Sequence, residues 1–500
     1  MFSRAIALRA RPAALAVPCR SCSRSFGMPL RAKIIGAEAS SRAQMSTQIP
    51  KGFEQKAKDD PDDVMFNSSY GLRTIELNRP KKLNSLDGSM IRKILPRLVE
   101  WEKSDLANVV VMKGSGEKAF CAGGDVAALA KWNKFEDGWK RSAKYFELEY
   151  KLDHYIATYQ KPYVAFMDGI TMGGGVGLSI HAPFRVATER TIFAMPETTI
   201  GFFPDVGASF FLPRMAGSIG TYLALTSERL QGANVFYSGV ATHYLHSTSL
   251  PQVEARLAEI RFRDHDSLEK RLQIVNQTLE EYATGLPHNE PILLGGDLRK
   301  AIDRCFSQSN IGAIIKALKA EKGSTKQWAA KTIETLHKRS PTAVNVALRQ
   351  MRIGGTWSIA ETFKREHKIA EKFMQQGEFT EGVTALLIEK RAPAWKPATL
   401  EEIKPEMNVT EPFFESSGED LELLNDRDYK EYPYTYFALP TEADVRKVVL
   451  EGQHTPEEVV KKLAASKNNR QGVEAVVKEI VDRKVVANKE GRAVWPEENQ

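Results

Sequence analysis

The chain has 500 residues, 42% hydrophobic and 27% charged, which is the composition of an ordinary globular protein. This length exceeds what one hydrophobic core usually supports, so we expect two structured units with extensions. Seven of the 70 basic residues lie in the first 37 positions, which hold no acidic residue, and the remaining 63 balance the 63 acidic residues. A neutral body gives no support for bulk attraction to nucleic acid, and no apolar run reaches the roughly 18 residues that span a membrane.

The first segment, residues 1–45, has the composition of a mitochondrial presequence and leader. It is rich in Arg, Ala and Ser, and its first acidic residue is Glu38. Arginines interrupt every apolar run, which disfavours a secretory signal; a disordered basic arm is the alternative. We predict cleavage between Phe26 and Met45 and a location in the mitochondrial matrix.

Predicted strands and helices alternate through the first half of the body, which indicates an α/β architecture. Strand patterns weaken after residue 250, and helical periodicity dominates from there to about residue 390. In chain order, the predicted strands lie at 71–77, 109–112, 163–167 and 184–188. The predicted helices lie at 86–101, 126–132, 139–159, 173–180, 253–260, 268–282, 311–322 and 363–374.

Beyond a proline-rich boundary at 393–405, the chain is strongly polarised in charge. Residues 401–444 carry a net charge of −10, and residues 446–492 carry +4. Such a composition suggests a segment that folds on itself or on a partner, with a solvated tail as the alternative. The predicted domain plan is a presequence and leader at 1–45, a core at 46–250, a helical region at 251–395 and a C-terminal extension at 396–500.

Two glycine-rich turns, at 121–125 and 172–177, each follow a predicted strand and open a predicted helix. The free N–H groups at a helix start can stabilise a developing negative charge, although glycines also serve tight turns and close packing alone. Glu197 and Asp205 lie eight residues apart in a loop with apolar surroundings, where a carboxylate can act as acid, base or nucleophile. Their co-occurrence with the turns favours an enzyme that acts on a carbonyl compound.

The sequence lacks the motifs of several other functional classes. A dinucleotide fingerprint would need a third glycine where the chain has Leu178, although Glu189 lies where a ribose-binding acid would. The glycine turn also lacks the Lys-Ser/Thr ending of a nucleotide-binding phosphate loop. The nine histidines form no metal-binding spacing, so we predict no metal site, and Ser179 is not part of a nucleophile-elbow sequence.

At these residues the chain resembles the crotonase (enoyl-CoA hydratase/isomerase) superfamily and, within it, the 3-hydroxyisobutyryl-CoA hydrolases. The resemblance covers roughly residues 60–395. It implies an α/β fold with a spiral core of ββα turns, a helical C-terminal region and an acyl-CoA thioester as substrate. The motifs that carry it are L-N-R-P-K-K-L-N-S-L at 77–86, K-A-F-C-A-G-G-D at 118–125, Q-K-P-Y-V-A at 160–165, G-I-T-M-G-G-G-V-G-L-S at 169–179, M-P-E-T-T-I-G-F-F-P-D-V-G at 195–207 and F-L-P-R at 211–214.

Individual positions within the resemblance indicate the reaction. The oxyanion donors of crotonases match the backbone N–H groups of Gly124 and Gly174. A hydratase would carry a second catalytic glutamate where this chain has Gly177, whereas the hydrolases share Glu197 and Asp205. The resemblance therefore favours hydrolysis of the thioester, and enoyl-CoA hydration or isomerisation is the less favoured interpretation.

The mechanism implied by the family gives each of these residues a role. Glu197 attacks the thioester carbonyl or acts as a base toward water, and Asp205 orients the substrate hydroxyl or assists proton transfer. Glu149 matches a further substrate-contacting position, alongside Gly174. No metal or organic cofactor is required. The expected substrates are 3-hydroxyisobutyryl-CoA, in a step of valine breakdown, and 3-hydroxypropionyl-CoA.

The sequence departs from the hydrolase pattern in two ways. Ala208 stands where the family usually has a second glycine after D-V-G. The residues from about 405 onward extend beyond the ordinary hydrolase, and fungal mitochondrial ribosomes contain a small-subunit protein similar to these hydrolases. The extension is therefore a candidate docking element for the small subunit of the mitochondrial ribosome, with or without retained hydrolase activity. Crotonase-like units often associate as trimers or hexamers, so a homo-oligomer is a further expectation.

Overall fold

The computed structural model describes residues 49–287, 290–404, 407–415 and 420–496. The predicted presequence and its cleavage site lie outside these residues. No helix in the described ranges is long and apolar enough to cross a membrane.

Twelve strands occur in the described part of the chain. They are β1 Val64–Ser69, β2 Leu72–Leu77, β3 Val109–Gly114, β4 Ala119–Cys121, β5 Tyr163–Met167, β6 Ile170–Met172, β7 Phe184–Ala187, β8 Ile192–Ala194, β9 Leu230–Gln231, β10 His243–Tyr244, β11 Val486–Ala487 and β12 Ala493–Val494.

These strands build two sheets of the core and one C-terminal hairpin. The larger sheet has the order β1-β2-β3-β5-β7-β10, with β1 antiparallel to β2 and the remaining neighbours parallel. The smaller sheet has the order β4-β6-β8-β9. The inner strands of the larger sheet are almost unbroken apolar runs, as in the Val-Val-Val-Met of β3, because both faces of a parallel sheet are covered.

Nineteen α-helices occur in the same residues. They are α1 Gly88–Lys103, α2 Val126–Trp132, α3 Gly138–Ala157, α4 Gly174–Ile180, α5 Ala208–Phe211, α6 Ile219–Thr226, α7 Ala233–Tyr237, α8 Leu250–Ala258, α9 Leu268–Glu280, α10 Gly296–Phe306, α11 Ile311–Ala320, α12 Lys326–His337, α13 Pro341–Ile353, α14 Ile359–Gln375, α15 Gly377–Val383, α16 Glu411–Phe414, α17 Glu442–Leu450, α18 Pro456–Ser466 and α19 Val473–Lys484.

The core repeats one unit along the chain. The pairs β3–β4, β5–β6 and β7–β8 each place one strand in the larger sheet and the next strand in the smaller sheet. Helices α2 and α3 follow the first pair, and α4 follows the second. This is the predicted ββα spiral, and the helices from α8 to α15 are the predicted helical region, so the fold class is confirmed. The domain boundaries at 250 and 395 stay predictions.

The C-terminal extension is folded against the core and is not a solvated tail. Helices α17 and α18 each begin with a capping box, formed by Thr441 with Asp444 and by Thr455 with Glu458. Ahead of them, the ring of Phe437 packs 4.9 Å from that of Phe184 in β7. The three helices that end the extension bury their apolar faces, whereas most of the acidic stretch at 401–444 lies outside α-helices.

Candidate active site

The site forms where helix α3 packs against helix α4. Glu149 and Asp153 lie one turn apart on α3, and both are buried. A Cβ atom placed on Gly174 would lie 2.5 Å from Oε1 of Glu149, and one placed on Gly177 would lie 2.6 Å from Oδ2 of Asp153. Two glycines of α4 thus leave room for two carboxyl groups of α3, which no larger residue would allow.

The two glycine turns lie side by side. The backbone nitrogen of Gly124 is 3.3 Å from the position of a Cβ atom on Gly174. Gly174 is the first residue of α4, so its N–H has no acceptor within the helix, and Gly124 lies just ahead of α2. Gly173, which precedes α4, has a φ of 46°, a left-handed conformation that suits glycine. The geometry brings together the two predicted oxyanion donors.

The first loop carboxylate, Glu197, lies beside these donors. It opens the 3-10 turn Glu197–Ile200 and is 4% exposed. Its Oε1 is 3.1 Å from the position of a Cβ atom on Gly173, and its Oε2 has no hydrogen-bond partner among the described residues. One oxygen of this carboxyl group is therefore free to act on a bound molecule.

The second loop carboxylate, Asp205, is held by its neighbours. Its Oδ2 accepts a hydrogen bond of 2.7 Å from the hydroxyl of Tyr150, on α3. The backbone then turns through Val206, at a φ of 55°, which is a strained conformation for a β-branched residue. Glu366 of α14 fixes this turn, because its carboxyl oxygens accept the N–H groups of Gly207 at 2.7 Å and Ser209 at 2.8 Å.

Five carboxyl groups share the site, and within the described residues none of them takes part in an ion pair. Burial raises the pKa of Asp205 to about 7, opposed by the hydrogen bond from Tyr150. Burial also raises the pKa of Glu366 to about 8, opposed by its two backbone donors. For the other three, burial and the neighbouring acids raise the pKa well above the ordinary value: Glu149, Asp153 and Glu197.

All five site residues predicted from the sequence meet in this region: Gly124, Glu149, Gly174, Glu197 and Asp205. The catalytic and binding roles assigned to them stay predictions. Sequence reasoning missed three neighbours: Tyr150, Asp153 and Glu366. The four-residue spacing of the two acids on α3 was the available signal, since it puts both on one helix face.

No group of three or more potential ligand side chains in the described ranges has the arrangement of a metal site. The neighbours of the carboxyl groups are glycines, backbone N–H donors and a tyrosine hydroxyl. The arrangement can therefore supply a backbone anion site, a buried carboxylate with a free oxygen, and groups that titrate near neutral pH.

A family model described as enoyl-CoA hydratase/isomerase matches residues 72–414. The chain belongs to this family. The resemblance inferred from the motifs is thereby confirmed, and the match spans both glycine turns and all five carboxyl groups.

The chain is similar to proteins with different names. The small ribosomal subunit protein mS47 of Neurospora crassa is 57% identical over 98% of this chain and 98% of its own length. The mitochondrial 3-hydroxyisobutyryl-CoA hydrolase of Gallus gallus is 43% identical over 74% of this chain and 93% of its own length. Among solved structures, a carnitinyl-CoA dehydratase from Mycobacterium thermoresistibile matches with a TM-score of 0.64, at 33% identity, over 73% of this chain and 100% of its own.

Proposed function

We propose that this chain hydrolyses the thioester of 3-hydroxyisobutyryl-CoA, and of related short 3-hydroxyacyl-CoA esters, in mitochondria. The observation that carries the proposal is the buried Glu197 with a free oxygen beside the paired Gly124 and Gly174 turns. The second carboxylate of a hydratase would stand at Gly177, where this chain has no side chain. The Gallus gallus relative, whose name specifies a mitochondrial 3-hydroxyisobutyryl-CoA hydrolase, supports the substrate and the location.

In the proposed mechanism the thioester oxygen accepts hydrogen bonds from the N–H groups of Gly124 and Gly174. These donors stabilise the negative charge that develops on the oxygen, an effect worth about 100- to 1,000-fold for each donor. The carboxylate of Glu197 bonds to the carbonyl carbon, the carbon–sulfur bond breaks, and CoA leaves as the thiolate. Water then attacks the resulting anhydride, which releases the hydroxy acid and regenerates the carboxylate of Glu197, and the proton lost by water neutralises the CoA thiolate.

The direct alternative has Glu197 act as a base that activates water for attack on the thioester. In either route Asp205, whose pKa of about 7 lets it exchange a proton at neutral pH, orients the substrate or accepts a proton from water. The products are the hydroxy acid and CoA. We propose that no metal or organic cofactor takes part.

Replacing Glu197 with Gln tests the assignment. The amide keeps the shape of the side chain but cannot attack or accept a proton, so we expect hydrolysis to fall about 1,000-fold or more while CoA-ester binding persists. Glu189→Gln is the matched control, because Glu189 is partly exposed and pairs with Ser247 and His246, which lie outside the site. A near-normal rate in the Glu197 variant would overturn the proposal.

A second candidate function is a structural role in the small subunit of the mitochondrial ribosome. It is favoured by one observation: the Neurospora crassa protein named as a ribosomal subunit aligns over 98% of this chain, C-terminal extension included, whereas the Gallus gallus hydrolase aligns over 74%. Both functions can reside in one protein. Sedimentation of the native protein with mitochondrial small subunits would support this role, and an exclusively free pool would exclude it.

A further inference from the structure

Asp153 is a carboxyl group of the site to which the proposed mechanism gives no task. It is fully buried, and neither of its oxygens has a hydrogen-bond partner among the described residues. A buried polar group without a partner costs about 1–3 kcal/mol, so such groups are usually completed by a ligand or serve a function. We infer that Asp153 recognises the hydroxyl group on the acyl part of the substrate, and this inference rests on the proposed hydrolase function.

The position of Asp153 relative to the oxyanion donors supports this assignment. Along α3, Asp153 lies four residues beyond Glu149, a rise of about 6 Å, and along α4, Gly177 lies three residues beyond Gly174, a rise of about 4.5 Å. The contact between Glu149 and Gly174 and the contact between Asp153 and Gly177 therefore lie about one helical turn apart. A thioester carbonyl held at Gly174 puts the next carbons of the acyl chain within reach of the second contact.

The other carboxyl groups are less available for such a contact. One oxygen of Asp205 is occupied by Tyr150, and both oxygens of Glu366 accept backbone N–H groups. The carboxyl groups of Glu149 and Glu197 lie at the start of α4, where Oε1 of each is next to Gly174 and Gly173 respectively. Asp153 is the one that combines two unpartnered oxygens with a place further along α4.

The surroundings of Asp153 favour a neutral polar group over a charged one. Glu149 on its own helix, and Asp205 and Glu366 across from it, are the charged groups that act on it, and all three are acidic. They disfavour ionisation of Asp153, and they would repel an anionic substituent. The apolar side chain of Val206 lies next to the same glycine, since its Cβ is 2.8 Å from the position of a Cβ atom on Gly177. A hydroxyl both donates to and accepts from a neutral carboxyl group.

The test compares kcat/KM for 3-hydroxyisobutyryl-CoA with that for isobutyryl-CoA, which lacks the hydroxyl. We expect the unmodified chain to prefer the hydroxylated ester by about 10- to 100-fold, the range that one or two buried hydrogen bonds supply. Asp153→Leu should lose most of this preference, because kcat/KM should fall for the hydroxylated ester and stay the same for isobutyryl-CoA. Asp153→Asn should keep most of it, because the amide still bonds a hydroxyl.

A second variant tests the pocket without changing the acid. Gly177→Ala places a Cβ atom against Oδ2 of Asp153, so it should lower the preference as Asp153→Leu does, whereas Gly377→Ala, with open space around it, should not. If Asp153→Leu does not fold, the comparison of Gly177→Ala with Gly377→Ala still tests the inference.

The outcomes separate the inference from the proposed function. If the unmodified chain hydrolyses both esters with equal efficiency, or if Asp153→Leu slows both equally, the inference is overturned and the hydrolase function stands. If the unmodified chain hydrolyses neither ester, the proposed function is overturned and the inference falls with it.

Discussion

Asp205 accepts a hydrogen bond from Tyr150, and burial raises the pKa of this carboxyl group to about 7. The hydrogen bond favours the ionised form, so it holds the pKa below the value that burial alone would give. A carboxyl group that titrates near neutral pH can exchange protons with bound water during turnover. The Tyr150 hydroxyl therefore sets the pH range in which Asp205 can work.

Replacing Tyr150 with Phe tests this dependence. Without the donor, the pKa of Asp205 should rise above about 7. The ionised form would then be lost at a higher pH as the pH falls, so the acid limb of kcat/KM should shift upward. A pH–rate profile measures the shift, with Tyr159→Phe as the control, since the buried Tyr159 donates to the carbonyl of Leu98 outside the site. If the acid limb is unchanged in the Tyr150 variant, the pKa of Asp205 does not determine it.

Part of the site could be predicted from single residues. Glu197 and Asp205 stand in a short loop with glycines and apolar neighbours, which is unusual for acids that only face solvent. Tyr150 and Glu366 could not be predicted, because each lies in a helix whose polar residues look like an ordinary solvated face. For Asp153, its four-residue spacing from Glu149 was a signal that was missed. Only the packing of α3 against both α4 and α14 shows that these side chains point inward.

At the scale of elements, the turn between Asp205 and α5 depends on a helix far away in sequence. Val206 holds a left-handed backbone, and its strain must be offset by surrounding contacts. Glu366 provides two of them through the N–H groups of Gly207 and Ser209. Helix α14 thereby positions Asp205 without touching a substrate.

Glu366→Gln should loosen this turn. The amide oxygen can accept one N–H group, but the amide nitrogen then faces the other, so one buried donor loses its partner. We expect a loss of about 1–3 kcal/mol in the free energy of unfolding, together with a lower kcat and a nearly unchanged KM. Denaturant unfolding and steady-state kinetics measure the two effects. Glu361→Gln, at a partly exposed pair with Arg365 on the same helix, should change neither.

Periodicity predicts four of the twelve strands and eight of the nineteen α-helices in the described residues, and individual differences have physical reasons. The predicted helix at 86–101 is observed as Gly88–Lys103, where Asp87 caps the first turn by accepting the N–H groups of Ser89 and Met90. Strand β1 was not predicted, because half of its residues are polar and most of them are exposed. It forms because its backbone pairs along the whole length of β2, which side-chain patterns do not reveal.

At the scale of the whole molecule, the C-terminal extension is tied to the helix that carries the site acids. Arg427 donates two hydrogen bonds to Glu102 at 2.7 and 3.0 Å and one to the carbonyl of Thr158 at 2.6 Å. The carbonyl of Arg427 accepts from the ring of His154, the residue after Asp153 on α3. Charge composition suggested folding of this segment but could not show its partner, because the contacts are specific and distant in sequence.

Arg427→Ala should therefore destabilise the chain. Glu102 is largely buried and would lose its bidentate partner, while Arg427 itself is 37% exposed, so we expect a loss of about 1–2 kcal/mol in the free energy of unfolding. Denaturant unfolding checks this, with Lys478→Ala at an exposed helical pair as the control. If Arg427→Ala left the free energy of unfolding unchanged, the extension would contact the core without stabilising the chain through Arg427.

The most direct test of the hydrolase assignment is CoA release by the purified chain from 3-hydroxyisobutyryl-CoA, measured with a thiol reagent and with crotonyl-CoA as the comparison ester. The arrangement of Glu197, Gly124 and Gly174, without a carboxylate at Gly177, predicts rapid CoA release and no appreciable hydration of crotonyl-CoA. Hydration of crotonyl-CoA without release of CoA from the hydroxyacyl ester would contradict the account.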